Sequence, residues 1–205
     1  MGTEFNYFHD IIPQDVYSRT KASICRYIAV FEPKEFTLGK VLYADDYHFI
    51  LYLGNPPVTR INDVEYRVKK GDMLAVKPWD RVYGVPGNDE EYGKYLHIAV
   101  KREFFTEIAA EMAGKEAFEF KRVHGRFSSR LLDLIGELQL EIMNYGEAYP
   151  KMLQSLSTQI VFQAIRDLHT EQKKSRHKVG EDNPYINKAI LLMQENYQTN
   201  ISISD

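Results

Sequence analysis

A single cysteine, Cys25, in 205 residues rules out an internal disulfide framework and fits a reducing compartment. No stretch reaches the roughly 20 unbroken apolar residues that a membrane-crossing helix needs. The amino terminus also lacks the basic, apolar and small-residue order of a secretory leader, so a cytoplasmic protein is expected. Charge of one sign is not in excess: the net charge of −3 is not the footprint of a body that grips nucleic acid as a whole. Catalytic signatures are missing as well, with no Gly-rich phosphate loop, Gly-x-Ser-x-Gly elbow or His-Glu-x-x-His. Cys25 lies in an apolar stretch with no base beside it, which reads as core.

Aromatic residues are plentiful. Fourteen tyrosines and eleven phenylalanines suit either a β-rich shell around a cavity or ordinary core filling. The chain changes period once. Up to Val100 it reads as short strands between turn signals, the pattern of a sandwich or barrel. Ile24 to Phe31 is mostly apolar and ends at Glu32-Pro33-Lys34; Phe49 to Leu53 ends at Gly54-Asn55-Pro56-Pro57. Val58 to Ile61 and Val64 to Val68 flank Asn62-Asp63, a two-residue hairpin turn. That register places Ile61, Val64, Tyr66 and Val68 on an inner face and pairs Arg60 with Glu65 outside, as a surface ion pair rather than a ligand clamp. Met73 to Val76 follows Gly71-Asp72 and ends at Lys77-Pro78-Trp79. A last strand from Tyr92 to Val100 puts Tyr95, His97 and Ala99 on one face.

Beyond Val100 the spacing is helical. Arg102 to Met112 carries Phe104, Phe105 and Ile108, and Gly114 breaks it. Ser128 or Ser129 caps a helix with Leu131, Ile135, Leu138 and Ile142 along one seam, closed by Gly146. A second helix from about Pro150 to Thr170 carries Leu153 and Ile160 on its own seam. Two helices of similar length with a short join form an antiparallel hairpin. Leu132, Leu134, Leu140 and Phe162 lie off those seams, so the apolar surface serves either a second subunit or one chain's own interior. Lys173 to Pro184 is polar and charged, a linker. Tyr185 to Tyr197 then repeats a helical stripe at Ile186, Ala189, Ile190 and Met193, and Ser202, Ser204 and Asp205 are N-cap residue types. The chain is therefore expected to stop at the opening of a further domain.

This order resembles the AraC/XylS family of bacterial transcription regulators: a barrel containing Gly71-Asp72-Met73-Leu74-Ala75-Val76-Lys77-Pro78, a helical hairpin, a polar linker, then Tyr185 to Asp205. The family's usual Pro-Pro-Gly is here Lys77-Pro78-Trp79, with Val82 where its nearby histidine would fall. The resemblance implies an α+β fold, mainly β then α: a cupin-like jelly roll followed by an antiparallel helical hairpin. It implies an N-terminal arm at 1–20, an effector-binding barrel at 21–101 and helices at 102–172, with a dimerising hairpin at about 128–145 and 150–170. A linker at 173–184 and the opening of a truncated helix-turn-helix domain at 185–205 complete it. Its function would be effector sensing and dimerisation, with DNA read only by a C-terminal helix-turn-helix domain outside the 205 residues, and with no enzymatic activity, cofactor or metal. Carried onto this sequence, Tyr95 and His97 are the first candidates to contact a sugar-like or aromatic effector, followed by Tyr66, Tyr43 and Trp79. Leu131, Ile135, Leu138, Ile142, Leu153 and Ile160 would meet the second subunit of a homodimer. The arm, with Phe5, Tyr7 and Phe8, is either a moving lid or a fixed edge.

Two other readings stand beside it. A metal-dependent cupin enzyme would need several histidines and a carboxylate around Fe, Mn or Zn; the chain has no His-x-His, and Val41 to Val100 holds only His48 and His97, near Asp45-Asp46-Tyr47. A ligand-free dimerisation module would fill its barrel with its own tyrosines.

Overall fold

The strand segments contain more consecutive apolar residues than a half-buried sheet requires, and the computed structural model shows why. The residues it describes are 5, 7–8, 12–87, 92–113 and 118–169. They belong to the first of two compact units, Met1–Thr170, the second being Glu171–Asp205. A short helix α1 (Gln14–Ser18) leads into β1 (Lys21–Ile24) and β2 (Ile28–Glu32). Next come β3 (Tyr47–Tyr52), β4 (Thr59–Ile61), β5 (Val64–Tyr66), β6 (Asp72–Val76), β7 (Val82–Gly84) and β8 (Tyr95–Val100). Helix α2 (Arg102–Ala113), strand β9 (His124–Arg126) and the helices α3 (Ser129–Tyr145) and α4 (Pro150–His169) complete the described elements. A six-stranded antiparallel sheet in the order β1-β2-β8-β3-β6-β9 faces a three-stranded sheet in the order β5-β4-β7. The fold is α+β: a cupin-like double sheet followed by an antiparallel helical hairpin.

The large sheet is covered on both sides. One face, with Ile28, Val30, Phe49, Leu51, Met73, Ala75 and Ile98, packs on Phe105 and Ile108 of α2 and on the seams of α3 and α4. The opposite face carries Ala29, Phe31, Ile50, Leu74, Val76 and Ala99, and meets Ile61, Val82 and Leu42 across the sandwich. Strands β3 and β8 are consequently buried along nearly their whole length, which removes the polar alternation of a one-sided sheet.

Ile24 to Phe31, expected as one strand, is two. The chain reverses through Cys25-Arg26-Tyr27, with the Cys25 N–H donating to the Ile28 carbonyl at 3.0 Å. An apolar run buried on both faces hides such a reversal, since the turn residues need not be polar. The last strand starts at Tyr95 rather than Tyr92. Two strands escaped the sequence reading: β7, which pairs with β4, and β9, which returns from the helical half to pair with β6. The Asn62-Asp63 hairpin forms in the expected register, Ile61 opposite Val64 and Arg60 opposite Glu65, with Asn62 at φ 52°. Arg60 and Glu65 form the expected exposed ion pair at 3.3 Å. Val64, expected inside, is exposed because β5 is the edge of its sheet.

Beside their apolar seam, the two helices are tied by the Asp167 carboxylate. Ser128 caps α3, its Oγ accepting from the Leu131 N–H at 3.3 Å. The backbone N–H and hydroxyl of Ser128 both donate to Asp167 Oδ2 of α4, at 2.7 and 2.8 Å. Leu131, Ile135, Leu138, Leu153 and Ile160 are buried inside the chain along this seam, and Ile142 is half-buried beside it. The apolar residues the hairpin leaves exposed are Leu140, Met143, Tyr145, Tyr149 and Met152. The expected linker at 173–184 and the segment Tyr185 to Asp205 lie outside the described residues.

At the far end of β3 and β8 the backbones touch. A Cβ on Gly93 would sit 2.5 Å from Gly54 Cα, and one on Gly54 would sit 2.6 Å from Gly93 Cα. The chain there is tied by Leu53 N–H to Lys94 O at 2.9 Å and Gly93 N–H to Asn55 O at 2.7 Å. Gly93→Ala is therefore expected to cost roughly 1–3 kcal/mol of folding stability. An unchanged urea midpoint would show that the two strand ends separate freely.

Candidate functional site

The sheet's two faces differ in chemistry. The helix-packed face is apolar, whereas the sandwich interior carries His48, His97, Tyr52 and Tyr95 on neighbouring strands. His97 lies opposite Ile50, and His48 opposite Ala99, so the two imidazoles are diagonal neighbours on one face. Ala99, the small residue between them, leaves room for the rings to meet. His97 Nε2 and His48 Nδ1 are 3.1 Å apart, a hydrogen bond between two buried side chains. The other nitrogen of His48, Nε2, is buried with no hydrogen-bond partner among the described residues.

Beside the pair lies a cavity of about 80 Å³ between the sheets. This volume exceeds the roughly 10–15 Å³ that one water occupies on the same measure. His97, Tyr95 and Ile50 of the large sheet line it together with Phe36, Leu42, Val82 and Tyr83, and Lys40 and Thr37 complete this part of the lining. Phe36 and Tyr95 stack with centroids 4.1 Å apart and planes 16° from parallel. Tyr52 and Thr59, also in the wall, satisfy each other with hydroxyls at 2.8 Å.

The amino-terminal arm closes the histidine end. Phe8 is buried against Phe31 and meets the His97 ring edge-on at 5.2 Å. The Tyr7 hydroxyl donates to Asp46 Oδ2 at 2.8 Å, and Lys101 Nζ donates to the same oxygen at 3.1 Å. Lys101 also lies 4.3 Å from the Phe5 ring centroid. Asp46 Oδ1 accepts the Arg102 N–H at 3.3 Å, so the carboxylate joins the arm to the start of α2.

Burial governs ionisation here. Desolvation lowers His97 to about 4. It also holds His48 well below the ordinary imidazole value, helped by His97 and by the Lys101 charge. Desolvation raises the Tyr95 and Tyr52 phenols, and desolvation together with Asp46 raises Tyr7. His97, Tyr95 and Tyr52 thus line the cavity as neutral hydrogen-bonding groups at pH 7.

Of the five residues expected to contact a ligand, Tyr95 and His97 line the cavity. Tyr66 is half-buried at the sheet edge, its ring 6.3 Å from that of His124. Tyr43 and Trp79 are half-exposed and pack on each other at 5.2 Å, away from the cavity lining. The Trp79 turn (φ 66°) is pinned by its N–H to the Ala44 carbonyl at 2.8 Å. Phe36, Tyr52, Thr59 and Lys40 were not anticipated, because strand order is what brings them to Tyr95. The position of His48 two residues before Ile50, the partner of His97, was a usable signal once the strands are paired.

A cupin metal does not fit these residues. Two imidazoles approach, but Asp46 is engaged by Tyr7 and Lys101, and Asp72 by His124 at 3.0 Å and the Lys69 N–H. No group of three or more His, Cys, Asp or Glu converges among the described residues.

No protein-family profile matches the chain, and no characterised protein matches it in sequence. Among solved structures it is similar to the AraC-like transcriptional activator CuxR, at 10% identity and TM-score 0.48, covering 87% of this chain and 64% of that one. It is also similar to an RmlC-like cupin from Shewanella frigidimarina NCIMB 400, at 13% identity and TM-score 0.33, covering 43% of this chain and 90% of that one. A putative mannose-6-phosphate isomerase from Ralstonia eutropha JMP134 matches at 10% identity and TM-score 0.34, covering 40% of this chain and 82% of that one.

The buried pair has a consequence for stability. An unfolded imidazole takes a proton near pH 6.5, while folded His97 does so only near 4. The unfolded state therefore binds more protons between these values, and stability falls as pH drops through that window. The expected slope is about 1.4 kcal/mol per pH unit for each histidine held neutral. Urea titrations at pH 7, 6 and 5 check it; His97→Asn should flatten the slope, and a level wild-type profile would contradict a neutral pair.

Proposed function

We propose that the chain is the effector-sensing and dimerisation region of an AraC-type transcription regulator. In this reading a sugar-like or aromatic small molecule occupies the cavity, and a C-terminal helix-turn-helix domain outside these residues reads DNA. The observation that carries it is the cavity beside the His48–His97 pair, set between the sheets and walled by the Phe36–Tyr95 stack. Such a site, mostly apolar with a few convergent polar groups, has the make-up of a small-ligand pocket. Tyr95 and His97 are its recognition residues. In this reading the site serves binding, with its buried histidines hydrogen-bonded to each other and its Tyr52 and Thr59 hydroxyls likewise.

Coupling follows from chain continuity. Strand β8 carries His97 and runs through Lys101 into α2, while Asp46 holds Lys101, Tyr7 and the first turn of α2 together. A ligand that moves His97 acts on the strand that leads into the helices. An effector that favours one arrangement shifts the population toward it, and the linker would pass the change to the DNA-binding domain. Dimerisation through the hairpin would use its exposed residues, Leu140, Met143 and Tyr145 among them, since the seam side chains face their own chain. A ligand-free dimerisation module is the second reading, favoured by that same exposed apolar set and by the small cavity.

The test is the melting temperature of the 205-residue chain against sugars, sugar acids and small aromatics, with chelator and metal controls. At a hundredfold excess over Kd, a ligand stabilises by about 2.7 kcal/mol, a rise of roughly 5–10 °C. One chemical class should give a saturable rise that is insensitive to chelator and lost in His97→Ala. A flat panel would favour the ligand-free module, and a fall with chelator alone would favour a metal protein.

A further inference from the structure

We propose that the turn carrying Trp79 is a docking face for an acidic segment of a partner protein, which places an apolar side chain between Trp79 and Tyr43 and its carboxylates beside Lys77 and Arg81. The face lies outside the cavity lining, so it goes beyond the effector reading and does not depend on it.

The backbone gives the first reason. Lys77 to Asp80 is a β-turn closed by the Asp80 N–H to the Lys77 carbonyl at 3.1 Å, with Pro78 at its second position. Trp79 occupies the third position at φ 66°. Turns of this kind take glycine there, because a side chain at positive φ is strained. Trp79 is a bulky exception, and the surrounding hydrogen bonds hold it in place. Its N–H donates to the Ala44 carbonyl at 2.8 Å, and Asp80 is fixed by Asn62 Nδ2 at 2.9 Å and by the Lys77 N–H at 3.2 Å. Asn62 in turn accepts the Arg81 N–H at 2.9 Å and donates its own N–H to the Arg81 carbonyl at 2.7 Å. Strain held by this many contacts concentrates at functional positions. Burial does not account for it, since the indole is half-exposed.

The side chains give the second reason. Trp79 and Tyr43 meet at 5.2 Å with planes 53° apart, a notch rather than a flat stack. Exposed aromatics with arginine beside them are the residue types that anchor protein interfaces. Lys77 and Arg81, two residues to either side of Trp79, are exposed and have no ion-pair partner among the described residues. Two nearby carboxylates are engaged: Asp80 faces its own turn, and Asp45 is paired with Arg102 at 2.6 Å. Asp63 is exposed on the adjoining hairpin, so the balance left available is positive. Two cations around an aromatic notch fit an apolar side chain flanked by carboxylates. A nucleic acid is the poorer match, because the chain's net charge is −3 and the tilted rings offer no flat platform for a base.

Trp79 is the only tryptophan in the chain, so its fluorescence reports on this face alone. Short peptides with leucine, methionine or phenylalanine between pairs of glutamates are titrated into the 205-residue chain, alongside versions with glutamines in place of the glutamates. At least one glutamate peptide should shift the emission to the blue and bind about fivefold or more tightly than its glutamine version at low ionic strength, the scale of two exposed charge pairs. Lys77→Gln combined with Arg81→Gln should remove most of that preference, whereas Lys151→Gln on α4 should leave it intact. Calorimetry on Trp79→Gly should show binding weakened at least about tenfold. The same variant should keep its melting temperature within about 3 °C of the parent, since glycine suits the turn. A larger fall would assign Trp79 to packing and overturn the proposal. Equal binding of glutamate and glutamine peptides, silence across the panel, or an oligothymidylate that binds as tightly as the best peptide would overturn it as well. None of these outcomes touches the cavity, and the effector reading stands or falls on its own melting-temperature test.

Discussion

The six-stranded sheet is buried on both faces, and most other features follow from that constraint. A sheet needs cover on every face that is apolar, and β2, β3, β6 and β8 are apolar on both. The helices α2 to α4 supply one cover, and the small sheet with the amino-terminal arm supplies the other. The hairpin is thus part of the barrel's own core, and its seam residues Leu131, Leu138 and Ile160 are fully buried without a second chain. This differs from the picture of a barrel and a separate dimerisation device joined in series.

The large sheet's buried polar side chains concentrate on its sandwich face, where they find one another. His48 meets His97, Tyr52 meets Thr59, and Asp46 meets Tyr7 and Lys101. Each pairing offsets the cost of removing a polar group from water. The exception is His48 Nε2, which has no hydrogen-bond partner among the described residues. The same burial that orders the pair holds both imidazoles neutral. His97 therefore contributes to the cavity as a neutral hydrogen-bonding group at pH 7, and the charged side chain in the lining is Lys40.

Much of the fold was legible in the residues. Asn62-Asp63 between two short apolar runs specified a hairpin and its register, since Asn tolerates the left-handed backbone that such a turn requires. Ser128 and Gly146 marked the ends of α3 through local capping, which depends on no distant partner. Tyr95 and His97 shared a face by the strand period alone. By contrast, the turn at Cys25-Arg26-Tyr27 and strands β7 and β9 were not legible. They are short, and strand β9 acquires its identity only by pairing with β6, some fifty residues earlier in the chain.

What the sequence determined by itself was therefore local: the switch from period two to a helical period after Val100, the caps, the hairpin turn and the faces of single strands. These depend on backbone preference and side-chain spacing over a few residues. Only the tertiary structure decided which faces meet. Phe36 reaches Tyr95, His48 reaches His97, and Tyr43 and Trp79 are left outside, because strand order in a sandwich brings together residues tens of positions apart. The site is a product of long-range pairing, and no property of any one segment encodes it.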